Sequence, residues 1–471
     1  MDKKQIYKPK PVSGFPEWLP EERLVEQQWL DHIRRVFESY GYTSIETPAA
    51  EEIDVLTAKG ETDKEIYTLT RLQADEDDKK EARIGLHFDQ TVPLARYTAM
   101  HFNDLDFPFK RYAMQKVWRG ERPQLGRMRE FYQCDIDVIH VDHLPLHFDA
   151  EMPAVIYEAL SGLDIGRIQI GINNRKILKG LLHYLSDENQ TLFFRILDKK
   201  DKLDKNVFDN QVADFLRNNT ENETAYNNAN DDLNTLFSYR DQLIRLPLSE
   251  QISKLREILI GHSTYENYQE IKQDTTLPKF KTPLPEFYEG LEELVFVLTN
   301  LQNLPEGSVV GDFFLIRGLD YYTGTVYETR LLDIPEFTSS VCSGGRYDDL
   351  AGSYINKHLP GVGISIGFTR LFDVLKHNGY IKTGRKCPTD VLVVLPSDDE
   401  RTNANTVAHT LRQNGWNVEV YHAPQKIGKQ IAYAEKKGIP YVWFPDSSEV
   451  KNLDNGEQAP VDPNTWAKDA S

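Results

Sequence analysis

The segment from Val117 to Ile139, VWRGERPQLGRMREFYQCDIDVI, limits what this chain of 471 residues can fold into more than any other stretch. It reads as a strand, a loop and a returning strand, with Arg119 and Glu121 on one side at the end of the first strand. Because side chains alternate between the two faces of a strand, one face of the returning strand carries Arg129, Phe131, Gln133, Asp135 and Asp137. Burying so many polar groups without partners is costly. We therefore interpret this face as a site that meets a polar ligand or solvent, and not as core.

Length and charge set further limits. A chain this long suggests about three domains, and its formal net charge is -18 at pH 7. The window from Lys110 to Arg129 is nevertheless basic, because it sets seven cations against Glu121 alone: Lys110, Arg111, Lys116, Arg119, Arg122, Arg127 and Arg129. A local patch of this kind predicts that a polyanion is attracted to one surface of an otherwise acidic protein.

Sequence signals for membranes and disulfides are missing. No apolar run approaches the roughly 18 to 20 residues that span a bilayer, and the first residues, MDKKQIYKPKPVSG, lack the apolar region of a signal peptide. We therefore expect a cytoplasmic protein without a membrane partner. Cys134, Cys342 and Cys387 form no CxxC pair, which predicts reduced structural thiols instead of a disulfide framework or a zinc ribbon.

Common cofactor motifs are missing as well. No GxxxxGKS or GxxxxGKT loop occurs, and the glycines between Gly361 and Gly367 do not fit GxGxxG, which argues against P-loop and Rossmann nucleotide sites. Three histidines have loose spacing interrupted by Pro145: His140, His143 and His147. No metal site is predicted from them.

The residues before this segment predict one helix and two strands. A helical period over Glu17 to Tyr40, ended by Gly41, predicts an amphipathic helix. Gly41 to Pro48 then turns into a strand, and Arg83 to Thr91 is predicted to be another. Alternation in the latter separates a polar set from an apolar one: Arg83, His87, Asp89 and Thr91 against Ile84, Leu86 and Phe88.

From about Asn173 to Leu304 the strand pattern fades. Helical segments such as Gln251 to Ile260 and Phe287 to Asn300 are separated by polar stretches such as NNTENETAYNNANDD. We interpret the region as a mainly helical insertion with mobile loops, because so polar a stretch cannot bury enough apolar area to order itself. Strand signals resume at Gly311 and continue to Gly367.

After a linker near Lys382 to Pro388, strand and helix patterns alternate. The predicted order is strand Thr389 to Pro396, helix Asp399 to Asn414, strand Trp416 to His422, helix Gln425 to Lys437 and strand Pro440 to Pro445. This order predicts parallel strands with right-handed helical crossovers. The acidic tail from Ser447 receives no assignment.

Five peptides carry a family resemblance. Val117 to Ile139 resembles the second signature motif of class II aminoacyl-tRNA synthetases, and IRGLDYY at Ile316 to Tyr322, followed by TGTV, resembles the peptide of histidyl-tRNA synthetases and their non-catalytic relatives. SGGRYD at Ser343 to Asp348 is similar to that family too. Gly361 to Arg370, GVGISIGFTR, resembles the third class II motif. Gly41 to Pro48 resembles the first motif, which implies a homodimer.

The resemblance implies an α/β (α+β) fold: a class II antiparallel sheet flanked by helices, a helical insertion and a C-terminal βαβαβ anticodon-binding domain. The implied domains are residues 1–172 and 305–382 for the two parts of the catalytic core, 173–304 for the insertion and 388–471 for the anticodon-binding domain. The implied partners are histidine, ATP with Mg²⁺, and tRNA(His). No tightly bound cofactor is expected.

The implied reaction activates histidine with ATP and then transfers it to the 3′ end of tRNA(His). By resemblance, Arg119 holds the α-phosphate and Arg317 approaches the reacting centre from the opposite side. Arginine suits this role because its planar fork grips two oxygens and stays charged. The implied contacts to the rest of ATP are Glu121 to the adenine amino group, Phe131 to the ring, and Arg127 and Arg370 to the outer phosphates.

Histidine is expected to be recognised at both ends. The implied ligands of its α-amino group are Asp89, Thr91 and Gln133, and those of its imidazole are Asp137 with Tyr321 or Tyr322. Such a site rejects apolar analogues because its own polar groups would be left unpaired. An alternative for Gln133 and Asp137 is that they satisfy each other inside the sheet.

Two positions depart from the family pattern, and two other functions stay open. Thr369 stands where an acidic residue usually precedes the arginine, and His87 stands where the family often has arginine. One alternative is the catalytically inactive relative that regulates ATP phosphoribosyltransferase, which typically lacks the catalytic arginines and the C-terminal domain. The other is a class II synthetase for threonine, proline or glycine, against which IRGLDYY argues.

Overall fold

A computed structural model describes residues 7–57, 65–72, 83–197, 199–200, 203–260, 285–316, 322–349, 351–352 and 354–468. The chain divides into two units, Met1–Pro16 with His32–Asn378 and Glu17–Asp31 with Gly379–Ser471. Arg317 and Tyr321, two of the predicted site residues, lie outside the described residues.

The first unit contains the sheet that carries the site. Its strands are β1 Thr43–Ser44, β2 Ala50–Glu52, β3 Ile84–Leu86, β4 Phe109–Trp118, β5 Glu130–Ile139, β6 Ile168–Asn174, β7 Val309–Gly311, β8 Thr325–Leu331, β9 Cys342–Tyr347 and β10 Gly361–Ile366. The helices of this part of the chain are α1 Pro20–Ser39, α2 Ile53–Leu56, α3 Thr91–Met100, α4 His147–Ser161, α5 Arg175–Leu181, α6 Asp187–Leu197, α7 Lys205–Asn219, α8 Glu223–Leu243, α9 Leu248–Ile260, α10 Pro285–Thr299 and α11 Phe368–His377. The residues of α1 are divided between the two units after Asp31.

Eight of these strands form one sheet in the order β1-β4-β5-β10-β9-β8-β6-β7. The six inner strands are antiparallel to their neighbours, and the short edge strands β1 and β7 pair in parallel. Helices α4, α10 and α11 pack against the sheet. The predicted α/β fold with an antiparallel sheet flanked by helices is confirmed.

The predicted strand from Arg83 to Thr91 is mostly wrong. Only Ile84–Leu86 is a strand, paired with β2, and Thr91 is the first residue of α3. The side chain of Asp89 stops the extended run, because its carboxylate accepts a hydrogen bond from the backbone N–H of Val92 at 3.1 Å in the first turn of α3. The predicted faces fail as well, since Ile84 is exposed while His87 is fully buried.

Between β6 and β7 the described chain is helical, as predicted, and α9 and α10 match the two predicted segments. The expectation of a loop at NNTENETAYNNANDD is wrong, because most of this stretch belongs to α8. Asn222 caps α8 by accepting from the N–H of Ala225 at 2.9 Å, and residues further along the helix supply its buried face. Arg240 of α8 forms an ion pair with Asp312, just after β7, at 2.7 Å.

The second unit contains β11 Val391–Val393, α12 Arg401–Gln413, β12 Val418–Val420, α13 Ile427–Lys437, β13 Tyr441–Phe444, β14 Glu449–Asn452 and β15 Gln458–Pro460. Its sheet has the order β12-β11-β13-β14-β15. The first three strands are parallel, which confirms the predicted βαβαβ order. The tail that received no assignment adds β14 and β15 as antiparallel strands on the β13 edge.

Two predicted helix ends are confirmed. Helix α1 ends just before Gly41, whose φ is +80°, and α13 ends at Gly438, whose φ is +69°. Glycine adopts this left-handed conformation without the steric cost that other residues incur. Within the described part of the chain, no helix combines the length and apolar character needed to cross a membrane.

Candidate active site

The loop between β4 and β5 places Arg119 over the aromatic ring of Phe131. Arg119 and Glu121 lie just beyond the end of β4, not within the strand as the sequence predicted. Arg119 is held by two bonds: its N–H donates to the carbonyl of Arg129 at 2.9 Å and its Nε donates to the carbonyl of Phe88 at 3.0 Å. Its guanidinium lies 5.3 Å from the centroid of the Phe131 ring, within range of a cation–π contact.

A cleft of about 600 Å³, a volume that includes space open to solvent, lies beside this pair. Its lining consists of Arg119, Glu121, Gly126, Arg127, Met128, Phe131, Gln133, Ser340, Val341, Cys342, Ser343, Ser365, Gly367 and Arg370. The structure thus brings together every residue that was predicted to bind ATP, and Gln133 from the predicted histidine site. A cleft that joins three arginines to an aromatic ring suits a nucleotide with its phosphates.

Arg370 is fixed at the wall of the cleft by two backbone carbonyls. Its Nε donates to Gly126 at 2.8 Å and its Nη1 to Ser340 at 3.0 Å. The neighbouring Thr369, where the family pattern has an acid, accepts a hydrogen bond from the N–H of Tyr132 at 2.8 Å through its hydroxyl oxygen. Thr369 therefore ties the start of α11 to β5.

Glu121 and Arg127 face each other across the loop. Arg127 Nη1 lies 3.6 Å from Glu121 Oε2, and the two side chains are 49% and 26% exposed. At that distance and exposure the pair is weak. A bound ligand can therefore separate the two side chains at small cost.

Below the cleft, the polar residues of β5 have protein partners on neighbouring strands. Asp137 pairs with Arg111 of β4 at 2.6 Å, and the hydroxyl of Tyr347 in β9 donates to its other oxygen at 3.0 Å. The prediction that ligand or solvent must meet this whole face is therefore wrong in part. The alternative that Gln133 and Asp137 satisfy each other also fails, because their partners are different residues.

Gln133 and Asp135 share a partner on β10. The Nε2 of Gln133 donates to the hydroxyl oxygen of Ser365 at 3.0 Å, and that hydroxyl donates to Asp135 Oδ1. The backbone carbonyl of Gln133 accepts from Gln90 Nε2 at 3.0 Å. Among the described residues, no partner bonds the buried Oε1 of Gln133.

Burial of these carboxyl groups changes their acidity. Burial raises the pKa of Asp135 to about 7 and that of Asp137 to about 6, while the Arg111 guanidinium opposes both shifts. The nearby carboxylate of Asp89 adds to both. Asp135 and Asp137 are therefore partly protonated near neutral pH, and a cationic ligand beside them would favour their ionised forms.

Three other predicted histidine ligands, Asp89, Thr91 and Tyr322, are not among the described residues that line the cleft. Asp89 is buried and bonds the first turn of α3, and Thr91 begins that helix and is half-buried. The carbonyl of Tyr322 accepts from Arg175 Nη1 at 2.9 Å. A methyl group added to Gly345 would lie 2.9 Å from the Tyr322 ring, which places that ring against β9.

His87 is buried and serves the sheet. Its Nε2 bonds the carbonyl of Lys116 at 2.8 Å, and its ring stacks on Trp118 at 5.6 Å. Burial lowers its pKa, so the neutral ring is favoured and Nε2 carries the proton. No group of three or more His, Cys, Asp or Glu in the described part of the chain is arranged to hold a metal ion. All three cysteines are buried free thiols.

Sequence reasoning missed three residues that shape the site: Arg111, Tyr347 and Ser365. The signal for Arg111 was the antiparallel register, in which Arg111 stands opposite Asp137. The signal for Ser365 was its place opposite Asp135 on β10. The signal for Tyr347 was weaker, since β10 lies between its strand and Asp137.

Comparison with known proteins identifies the family. A model of the histidyl-tRNA synthetase family matches residues 14–371. The chain belongs to the histidyl-tRNA synthetase family. A model of the anticodon binding domain matches residues 390–465 as well. The two matches together extend over both units of the chain.

Individual histidyl-tRNA synthetases support this membership. The histidine–tRNA ligase of Thermobifida fusca (strain YX) is 51% identical over 476 aligned residues, which cover 99% of this chain and 100% of that protein. The crystal structure of histidyl-tRNA synthetase from Nostoc sp. PCC 7120 has a TM-score of 0.79 at 37% identity and covers 97% of both chains. A Bacillus halodurans C structure, described as an ATP phosphoribosyltransferase regulatory subunit/histidyl-tRNA synthetase, shares the fold with a TM-score of 0.66 at 18% identity, covering 94% of this chain and 99% of that one.

Proposed function

We propose that this chain is a histidine–tRNA ligase. It activates histidine with ATP to give histidyl-adenylate and pyrophosphate, and then transfers histidine to the 3′ end of tRNA(His). The observation that carries the proposal is the continuity of the site: the cleft of Arg119, Phe131 and Arg370 shares Gln133 with the buried acidic cluster of β5. Full-length similarity to the Thermobifida fusca ligase supports it.

The first step needs alignment and charge stabilisation more than a base. The carboxylate of histidine is ionised at neutral pH, so its oxygen attacks the α-phosphorus of ATP directly while the bond to pyrophosphate breaks. Negative charge spreads over the phosphate oxygens in the transition state, and fixed cations lower its energy. We assign the α-phosphate to Arg119, because the Phe88 carbonyl holds its side chain at the edge of the cleft and the Arg129 carbonyl holds its backbone N–H.

The remaining contacts to ATP follow from the cleft wall. We assign the adenine ring to Phe131, its amino group to Glu121, and the outer phosphates to Arg127 and Arg370. The weak pair between Glu121 and Arg127 is consistent with these roles, since each side chain can exchange its partner for the nucleotide. Mg²⁺ would accompany ATP, with phosphate oxygens as most of its ligands.

Histidine would lie between the cleft and the acidic cluster. We assign its α-ammonium to Asp89, Thr91 and Gln133, and its imidazole to Asp137 with Tyr321 or Tyr322. The cluster of the buried carboxyl groups of Asp89, Asp135 and Asp137 supports a cationic substrate, because a cation would favour their ionised forms. Arg317 is proposed to contact the reacting centre; it and Tyr321 are outside the described residues, so their roles rest on the resemblance of IRGLDYY alone.

The partners and setting belong to the same proposal. We infer a cytoplasmic homodimer that binds tRNA(His), with 388–471 as the anticodon-binding domain. Residues 1–172 and 305–382 would form the catalytic core and 173–304 the insertion. The match of an anticodon binding domain model to residues 390–465 supports the assignment of 388–471.

The test is histidine-dependent exchange of labelled pyrophosphate into ATP, run without tRNA and beside the other amino acids. Exchange with histidine alone is expected. Arg119→Met should reduce it by about 100-fold or more, as loss of a charge-stabilising group does, while Arg122→Met, an exposed cation of the same loop, should keep it. Exchange with a different amino acid would overturn the substrate assignment. No exchange by folded protein that binds histidine would favour the regulatory relative.

A further inference from the structure

Three polar side chains from two strands form a continuous hydrogen-bonded chain at the inner wall of the cleft. Asp135 and Gln133 are two residues apart on β5, so they share a face, and Ser365 stands opposite Asp135 on the neighbouring β10. Ser365 bonds both: its oxygen accepts from Gln133 Nε2 at 3.0 Å and its proton goes to Asp135. Gln133 and Ser365 both line the cleft, and Gln133 is 9% exposed.

The direction of these bonds follows from the number of protons available. A serine hydroxyl has one proton to donate, and Asp135 can only accept once it is ionised, above its pKa of about 7. Once Asp135 takes the Ser365 proton, Ser365 can interact with Gln133 only by accepting, so the amide nitrogen of Gln133 must face Ser365. The amide oxygen then points the other way, and it is the buried atom that has no partner within the described chain.

We propose that Ser365 and Asp135 are positioning residues that orient the amide of Gln133, so that it offers an oxygen and not an NH₂ group to the α-ammonium of the substrate. Without the hydrogen bonds of Ser365 with Gln133 and Asp135, the Gln133 amide can rotate by half a turn. It would then present two N–H donors to an ammonium group, which itself has only donors. The inference rests on the proposed function, because it takes an α-amino acid as the ligand. It adds the reason why a neutral glutamine selects for an ammonium group.

The experiment compares histidine with 3-(imidazol-4-yl)propanoate, which lacks the α-amino group and is otherwise the same molecule. The KM for histidine and the inhibition constant of the analogue are measured in the pyrophosphate exchange assay. For Ser365→Ala we expect the KM for histidine to rise about tenfold or more, the size of one hydrogen bond to a charged group, while kcat and the inhibition constant of the analogue change less than about twofold.

Further variants separate positioning from a general structural effect. Ser365→Thr keeps the hydroxyl and should restore the preference for histidine. Asp135→Ala releases the Ser365 proton for donation to a rotated amide and should reduce the preference as Ser365→Ala does. Ser308→Ala is the matched control, because Ser308 is also buried but bonds the carbonyl of Pro305 outside the cleft. Circular dichroism verifies that each variant is folded.

Two results would overturn the proposal. One is an equal loss of affinity for histidine and for the analogue in a folded variant, which would indicate a structural role for the chain. The other is an unchanged preference for histidine in Ser365→Ala or in Asp135→Ala. Failure of the proposed function would look different, since the parent protein itself would then show no exchange with histidine.

Discussion

Arg111 is a fully buried cation, and its neighbours explain how two aspartates are tolerated inside the sheet. It pairs with Asp137 at 2.6 Å and its Nη2 also reaches the carbonyl of Gln90 at 3.4 Å. Its Nε and Nη1 are buried without a hydrogen-bond partner among the described residues. Such a pair adds little net stability, but removing one member leaves an isolated buried charge.

We therefore expect Arg111→Met to lower the free energy of unfolding by about 3 kcal/mol, as loss of one partner of a buried ion pair does. Urea unfolding measures the change. Arg167→Met is the matched control: Arg167 also pairs with an aspartate at 2.6 Å, but its side chain is 76% exposed, so its loss should matter little. Equal effects of the two substitutions would contradict the role assigned to burial.

The raised pKa values of Asp135 and Asp137 predict how stability changes with pH. Both groups hold protons more tightly in the folded state than in the unfolded state, where the ordinary value is 3.8. The free energy of unfolding should therefore fall as pH rises from about 4 through 6 and 7, with a slope of up to about 1.4 kcal/mol per pH unit for each carboxyl. Unfolding of the parent and of Asp135→Asn between pH 5 and 8 measures it.

The free energy of unfolding of Asp135→Asn should rise relative to that of the parent as pH rises. A difference between the two proteins that stays constant with pH would contradict the prediction.

His87 should show a pH dependence of the opposite sign, because burial lowers its pKa below the ordinary value of 6.5. The stability that depends on neutral His87 is present above that value and is lost as pH falls below it. His87→Gln should therefore raise the free energy of unfolding relative to the parent only at pH values below 6.5.

Single residues could be predicted where the signal was local. Arg119, Glu121, Arg127, Phe131, Gln133 and Arg370 were expected in one site, and all line one cleft. Arg111 and Ser365 were missed because alternation along one strand gives the face of a residue but not its partner, which depends on the register between strands. Their partners become evident only once β4, β5 and β10 are aligned.

Strands β9 and β10 approach so closely that glycine is required where they cross the site. A methyl group on Gly363 would overlap the carboxylate of Asp137, and one on Gly344 would overlap the carbonyl oxygen of Gly363. The glycines thus leave the space that the β5 carboxylates occupy. The sequence GVGISIG is explained by this packing against β5 and β9.

We expect Gly363→Ala to destabilise the protein by about 1 to 3 kcal/mol, the usual cost of overpacking, and to weaken histidine binding because the added methyl group would displace the Asp137 carboxylate. Urea unfolding and the KM for histidine are the measurements. Gly428→Ala is the control, since an alanine there meets no atom within 4 Å and lies inside α13, where alanine favours the helix by about 1 kcal/mol. Destabilisation by both substitutions would argue against the steric account.

Elements with a clear period were predictable, and those that depend on distant partners were not. The parallel strands and helices β11 to β13 follow from hydrophobic patterns within each segment. Strands β14 and β15 have no such pattern, because β14 pairs with the edge of β13 and β15 pairs with β14. The polar stretch in α8 is helical because a buried face further along the helix, including Leu233 and Leu236, anchors it.

On the scale of the whole molecule, the basic window is less exposed than its composition suggests. Lys110 pairs with Glu151 at 2.7 Å, Lys116 with Glu130 at 2.6 Å, and Arg111 is buried. Arg122 and Arg127 are exposed. The surface offered to a polyanion is therefore a small part of a protein whose net charge is -18.

This distribution predicts the salt dependence of tRNA binding. Each phosphate contact contributes about one unit to the slope of log affinity against log salt concentration. Arg122→Gln should lower that slope by about one, whereas Lys110→Gln should leave it unchanged because Glu151 already neutralises Lys110. Filter binding between 50 and 200 mM KCl measures it. An equal effect of the two substitutions would contradict the prediction.

The central place of β10 has a consequence for synthesis of the chain. Strand β5 pairs with β10, which the ribosome makes about 220 residues later, on the order of ten to forty seconds at usual rates of elongation. During that time one edge of β5 lacks its final neighbour, and unpaired edges invite aggregation. Inward-facing charges are a known protection for such edges. Asp135 and Asp137 would thus keep the nascent strand soluble before they serve the finished enzyme.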